Sequence, residues 1–130
     1  MVSYILDKAY AINQSGGVGA YLVLVQDTAA GQAKLPAAAN AGAILGVTVH
    51  SQSLEGANVA VRKAGIARVT AAGAVSVGAP VNIAGVSGKV KAISEATGTK
   101  INCLGFAETA AAADGDVIEV FISIHERTAP

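Results

Sequence analysis

Residues 44–61 read ILGVTVHSQSLEGANVAV, and a related spelling returns at residues 103–120, which read CLGFAETAAAADGDVIEV. Both stretches contain Leu-Gly, eight residues, an acid followed by Gly, four residues and Val. Equivalent residues of the two copies, such as Gly46 and Gly105, are separated by one constant number of residues along the chain. We call this spacing the repeat offset. Glycine is frequent, at 15 of 130 residues, so a single glycine match carries little weight. Five matching positions in register favour two copies of one β-unit over the alternative that any small β-protein repeats such punctuation.

Each copy predicts a strand, a turn and a second strand. Gly46 and Gly105 interrupt apolar runs, and glycine inside a strand marks a bulge or the close approach of another backbone. Glu55-Gly56 and Asp114-Gly115 are turn dipeptides, because glycine adopts positive φ angles that other residues resist. Apolar residues alternate after each turn, as they do in a half-buried strand.

The rest of the chain repeats short apolar runs with turn signals every 8–12 residues, a spacing typical of a β-sandwich or barrel. Residues 21–26 are apolar on both faces, which predicts a strand covered on both sides. Residues 62–65 predict a turn, residues 37–42 a single helical turn, and residues 126–130 a polar tail.

Residues 1–20 differ from the rest of the chain, because two short apolar runs carrying two of the three tyrosines precede the glycine-rich residues 13–19. Two interpretations remain open: an extended N-terminal arm with a flexible joint, or an ordinary first strand. The arm interpretation divides the chain into an arm (1–20) and a β-barrel domain (21–130). The candidate partner-binding residues of this arm are Tyr4, Ile5, Leu6, Tyr10 and Ile12.

The composition limits the partners that we expect. Aromatic residues make up 4% of the chain although 52% is hydrophobic, so the core must consist mainly of small side chains. Charged residues are 14%, against about 25% in typical domains. The formal net charge is zero, and without a basic patch we expect no nucleic-acid partner. A surface with so little charge indicates that much of it is covered in an assembly; the alternative is a weakly charged monomer that is prone to association.

No apolar run approaches the roughly 20 residues that a membrane-spanning helix needs, and no signal peptide is recognisable at the N-terminus. We therefore expect no membrane partner. Cys103 is the single cysteine, which excludes an internal disulfide, and its apolar surroundings predict a buried side chain.

The residues that usually carry chemistry do not converge in the sequence. His50 and His125 each end an apolar run without partners at metal-ligand spacing. The acids Asp114, Asp116 and Glu119 offer too few oxygens, at the wrong spacing, for calcium. The glycine-rich runs lack the features of a phosphate-binding loop. We therefore expect no catalytic residue, no metal and no cofactor, and a protein that is not an enzyme.

The order of several motifs carries a resemblance that none carries alone. They are Tyr21-Leu22-Val23, Ala43-Ile44-Leu45-Gly46-Val47, Gly56-Ala57-Asn58-Val59-Ala60-Val61, residues 65–69, Val77-Gly78-Ala79-Pro80-Val81, Gly88-Lys89-Val90, Leu104-Gly105-Phe106-Ala107 and residues 114–120. In this order, over residues 20–124, the chain resembles the DUF2190-type capsid decoration (cement) proteins of tailed bacteriophages.

The resemblance implies a small β-barrel or β-tulip-like domain with an extended N-terminal arm. It implies a structural virion protein, made in the bacterial host cytoplasm, that stabilises the capsid from its outer surface. The implied partners are the phage major capsid protein and, in a homotrimer, the protein itself; the arm would contact one of the two. An alternative remains open, namely a β-sandwich module that binds a carbohydrate or receptor on a virion surface.

Overall fold

The computed structural model describes residues 5–130, and this part of the chain forms nine β-strands and no helix. The strands are β1 (Leu6–Ile12), β2 (Val23–Gln26), β3 (Gln32–Lys34), β4 (Ile44–Thr48), β5 (Asn58–Thr70), β6 (Pro80–Ile83), β7 (Val90–Ala92), β8 (Lys100–Ala107) and β9 (Val117–Thr128). The all-β fold class predicted from the sequence is confirmed.

Five strands of the N-terminal half close into a β-barrel. They follow the order β1-β3-β2-β4-β5, and β1 also pairs with β5. Closure pairs backbone groups that an open sheet would leave exposed at its edges. The barrel is filled by a cluster of buried apolar side chains: Tyr10, Ile12, Val18, Leu24, Ala33, Leu45, Val59 and Val61.

The C-terminal half repeats this arrangement. Its strands follow the order β5-β9-β8-β6-β7. A parallel bridge between Ala71, which directly follows β5, and Val90 in β7 brings the two ends together. In the first half, the matching contact is the parallel pairing of β1 with β3. The latter part of β5 therefore plays in the second half the part that β1 plays in the first.

The strand register confirms the repeat predicted from the sequence. Tyr10 lies opposite Val59, and one repeat offset later Val69 lies opposite Ile118. Val47 and Arg62 are partners, as are Phe106 and Phe121 at the same offset. The pairing of β2 with β3 recurs between β6 and β7 at a slightly shorter offset.

Gly46 and Gly105 occupy equivalent positions and have the same task. Each directly follows a leucine at a β-bulge: Leu45 has no partner on β2, and Leu104 has no partner on β6. A β-carbon on Gly46 would collide with the backbone carbonyl of Arg62, and one on Gly105 with that of Phe121. The predicted close approach of a second backbone is thus confirmed at both glycines.

Strand β5 belongs to both halves. Its residues up to Ala64 pair with β1, and those from Gly65 onward pair with β9. Gly65 has a φ of +93°, a conformation that favours glycine, at the point where the strand passes from one half to the other. The turn predicted at residues 62–65 is therefore wrong. Pairing with β1 before Gly65 and with β9 from Gly65 onward keeps the chain extended.

The two halves share a core. Val23, Val25 and Val47 of the first half pack in one buried cluster with Ile83 and Leu104 of the second. The intervening Leu24 points the other way, into the first barrel. The strand predicted at residues 21–26 is observed from Val23 to Gln26 and is covered on both faces as predicted, whereas Tyr21, with a φ of +63°, precedes it.

Backbone hydrogen bonds also join the halves. The Thr70 N–H donates to the Tyr21 carbonyl at 2.9 Å, and the Val23 N–H donates to the Gly88 carbonyl at 2.8 Å. In the first half, the N–H at the position equivalent to Thr70 instead donates within that half, from Ala11 to Gly31. The segment around Tyr21 and Val23 of the first half thus hydrogen-bonds to the backbone of the second half.

Two further local predictions are wrong. Residues 126–130 are not a free tail, because β9 continues to Thr128 by pairing with the first residues of β8. Ala129 is then buried against Ile101 and Cys103, which confirms the predicted burial of that cysteine. Residues 37–42 form bends and turns without a helix.

Candidate interaction surface

The structure divides the five residues predicted to bind a partner. Tyr4 lies outside the described residues. Ile5 and Leu6 are exposed, at 52% and 57%, where the first strand begins. Tyr10 and Ile12 are buried in the first barrel, with 3% and 0% exposure. They cannot act as exposed arm residues, because β1 is a strand of the barrel.

Local contacts explain why this part of the predicted arm is folded in. The Ile12 N–H donates to Ala57, and its carbonyl accepts from the Gly56 N–H, so β1 is tied to the repeated turn. The Tyr10 hydroxyl lies 2.6 Å from the Lys63 ammonium, whose nitrogen is 5.1 Å from the ring centroid. For residues 6–12 the ordinary first strand, the second interpretation left open by the sequence, is the one observed.

An apolar row crosses three strands of the second half. Ile66 in β5 lies opposite Phe121 in β9, which lies opposite Phe106 in β8. Ile66 and Phe121 are 44% and 46% exposed. We call these three residues the apolar row. Nearby in β9, Val117 is 49% exposed.

The equivalent row of the first half is different in chemistry. Asp7 and Arg62 occupy the positions of Ile66 and Phe121, and they form a paired ion bridge with distances of 3.0 and 3.2 Å. Partly exposed ion pairs of this kind keep a surface polar while adding little stability. The two halves therefore share a backbone arrangement but differ at these two positions, where the first half has an ion pair and the second has apolar side chains.

A cleft of about 270 Å³ lies where the two halves meet. Val47, Ile66 and Arg68 line it together with Tyr21, which has a φ of +63°. Arg62 also lines the cleft, but Asp7 neutralises its charge. Within residues 5–130, the Arg68 side chain makes no hydrogen bond or ion pair, although Glu119 lies opposite it across the strands.

A partly buried polar cluster, with Asn82 fully buried, lies beside the junction. Asn82 in β6 donates to the side chains of Asn40 and Glu95, and Lys91 donates to both oxygens of Glu95 at 2.8 and 2.9 Å. Burial opposes ionisation of Glu95, but the hydrogen bonds from Lys91 and Asn82 outweigh it, so the pKa of Glu95 lies below its ordinary value. The cluster attaches the loop before β4 to the second half.

The acidic side chains and the cysteine that the sequence offered for chemistry are held in turns, in an ion pair or in the core. Among residues 5–130, no three His, Cys, Asp or Glu side chains converge as metal ligands would. Asp116 accepts two backbone N–H groups of its own turn, and Asp114 pairs with Lys89 at 2.9 Å. Burial raises the pKa of the Cys103 thiol. The same part of the chain contains no helix long and apolar enough to cross a membrane.

The exposure and partners of His50 and His125 differ. His50 is exposed at the end of the first strand of the first copy and contacts the backbone of Ser51. His125 stacks on Phe106, and its Nε2 accepts from the Arg127 side chain at 3.1 Å. Sequence patterns could not have revealed this stack, because residue 125 and residue 106 become neighbours only through the pairing of β8 with β9.

Comparison with known proteins places the fold. No protein-family model matches the chain, and no curated protein sequence matches it. Among solved structures, it is similar to the N base of head fiber gp8.5 in bacteriophage phi29, with a TM-score of 0.66 and 18% sequence identity. The likeness covers 92% of this chain and 95% of that chain. At this identity it establishes a shared fold across nearly the whole of both chains.

Proposed function

We propose that this protein is a structural virion protein of a bacteriophage that decorates and stabilises the capsid. The observation that carries the proposal is the shared fold with the base of a phage head fiber over 92% of the chain. The order of sequence motifs resembling the DUF2190-type cement proteins supports the same role. In this proposal the protein binds the outer surface of the major capsid protein lattice as a homotrimer, after synthesis in the host cytoplasm.

The unequal surfaces of the two halves support self-association. The apolar row exposes Phe121 and Ile66, where the first half has the Asp7–Arg62 ion pair. Aromatic and aliphatic side chains exposed together mark surfaces that other proteins cover. In the proposal, Phe121 of the apolar row makes the contact between sister subunits, and a cyclic arrangement buries it in every copy.

Ile5 and Leu6 remain the candidates for contact with the capsid. They are exposed at the start of β1 and lie away from the core that holds Tyr10 and Ile12. Modest contacts suffice on a shell that binds many copies, because each copy that binds only the mature shell shifts its equilibrium by mass action. The role requires no catalysis, cofactor, nucleic acid or membrane.

The test is reconstitution. Purified protein is added to expanded heads that lack it, and bound protein is measured by co-sedimentation. We expect saturation at a fixed number of copies per head and a higher temperature of head disruption. Phe121→Ser should reduce the trimer in analytical ultracentrifugation, and Ile5→Ser with Leu6→Ser should weaken head binding without dissociating the trimer.

Val86→Ser is the matched control, since Val86 is 64% exposed in the turn between β6 and β7, outside both proposed contacts. It should behave as the unchanged protein does. A monomeric protein that does not sediment with heads would contradict the proposal. A trimer that binds no heads would keep the self-association and exclude the decoration role.

A further inference from the structure

The internal repeat allows each half to be compared with the other at equivalent positions. Val47 in β4 and Phe106 in β8 are separated by the repeat offset, and each lies opposite the equivalent residue of the next strand. Ile66 and Arg68 are likewise equivalent to His125 and Arg127. The backbone is therefore arranged alike around these positions in both halves, but the side chains differ. We call this backbone arrangement the frame.

In the second half, a phenyl ring fills this frame. The Phe106 ring stacks on the His125 ring with centroids 5.2 Å apart and planes inclined by 12°. The Arg127 guanidinium carbon lies 5.6 Å from the Phe106 centroid. This is the geometry of a cation–π contact, in which the cation is attracted to the face of an aromatic ring.

In the first half, the corresponding place is the cleft. Val47 contributes to its lining but is only 1% exposed, because its side chain packs in the cluster shared by the two halves, and it does not reach outward as Phe106 does. Ile66 and Arg68 provide the walls that His125 and Arg127 provide in the second half, and Tyr21 adds an aromatic wall. The cleft thus retains the surroundings of a ring while its own strand does not supply one.

We propose that this cleft binds an aromatic side chain of a partner polypeptide, with the Arg68 guanidinium stacked on the ring. The volume of about 270 Å³ is slightly below the roughly 300–1,000 Å³ of pockets for drug-sized ligands, and it suits one side chain. Charge argues against an anionic ligand, because Asp7 neutralises Arg62 and Glu119 lies opposite Arg68. The site does not depend on the capsid role, since any partner with a protruding Phe or Tyr would fit it.

The experiment uses the full chain and N-acetyl-phenylalanine amide as the probe, followed by backbone amide shifts in NMR. We expect saturable shifts at Val47, Ile66 and Arg68. N-acetyl-leucine amide is the matched aliphatic probe and should bind more weakly. Equal binding of the two probes, or shifts elsewhere only, would overturn the aromatic assignment. If benzyl alcohol bound and N-acetyl-phenylalanine amide did not, the ligand would not be a side chain of a polypeptide.

Arg68→Gln should weaken the phenylalanine probe about two- to fivefold, the loss expected for an exposed cation–π contact. Arg127→Gln is the matched control: it makes the same charge change where Phe106 already fills the frame, and should leave the affinity unchanged. Val47→Phe supplies the missing ring from within and should abolish probe binding. Should that variant not fold, Arg68→Gln still decides, because an unchanged affinity would overturn the proposal.

Discussion

At the scale of single residues, the repeated glycines have the strongest consequences. A methyl group at Gly105 would enter the backbone carbonyl of Phe121, which cannot move without separating β8 from β9. We expect Gly105→Ala to lower the free energy of unfolding by about 3 kcal/mol, the upper part of the range for overpacking. Urea denaturation measures this change.

Gly73→Ala is the control for that prediction. A β-carbon at Gly73 would meet no atom within 4 Å, and its φ is not in the left-handed region. We expect a change within about 0.5 kcal/mol, as for other surface substitutions. Equal effects of the two variants would show that the bulge in β8 tolerates a side chain and that the repeat in sequence has another cause.

Glu95 gives a pH-dependent prediction at the same scale. Burial alone would raise its folded pKa, but the hydrogen bonds from Lys91 and Asn82 outweigh burial and depress the pKa below the ordinary 4.5. A depressed carboxyl pKa contributes stability that is present above the unfolded pKa and is lost as pH falls through the folded pKa. Below pH 4.5, the unchanged protein should therefore lose more stability than Glu95→Gln does, as measured by urea denaturation across pH. Glu55→Gln, in an exposed turn, is the control for the substitution itself and should change the free energy of unfolding at pH 7 by less than about 0.5 kcal/mol.

At the scale of elements, β1 distinguishes a barrel strand from an arm. Ile12 is fully buried, whereas Ile5 is 52% exposed. We expect Ile12→Ala to lower the free energy of unfolding by about 2–5 kcal/mol, the usual cost of removing a buried isoleucine side chain. The same substitution at Ile5 should change it by less than about 0.5 kcal/mol. If denaturant midpoints moved equally for both, β1 would not be an integral strand of the barrel.

The elements also show what the sequence could predict. The strand, turn and strand of each repeated copy are encoded by nearby glycines, acids and alternating valines, and both copies were predicted. The role of β1 depends on β5, which lies far along the chain, and apolar runs alone do not separate a strand from an arm. The extension of β9 likewise depends on β8. The cleft was not predictable, because it arises where one half packs on the other and where Val47 stands at the position equivalent to an aromatic residue.

At the scale of the whole molecule, the two similar halves are not independent domains. They share strand β5, a buried cluster that includes Val25 and Leu104, and the backbone hydrogen bonds from Thr70 and Val23. Neither half can separate without exposing that cluster and leaving those hydrogen-bonding groups unpaired. The first barrel also has a buried cluster of its own, but because the halves share a strand, a second cluster and hydrogen bonds, they should unfold together.

The chain carries its own probes for this last prediction. Among residues 5–130, both tyrosines lie in the first half, whereas the buried Cys103 lies in the second. In urea at fixed protein concentration, tyrosine fluorescence and the reactivity of the Cys103 thiol should change at the same midpoint. Val25→Ala removes a side chain from the shared cluster and should lower both midpoints equally. If the thiol became reactive at a lower urea concentration than the tyrosine signal changes, the second half would unfold alone while the first barrel, including its part of β5, stayed folded.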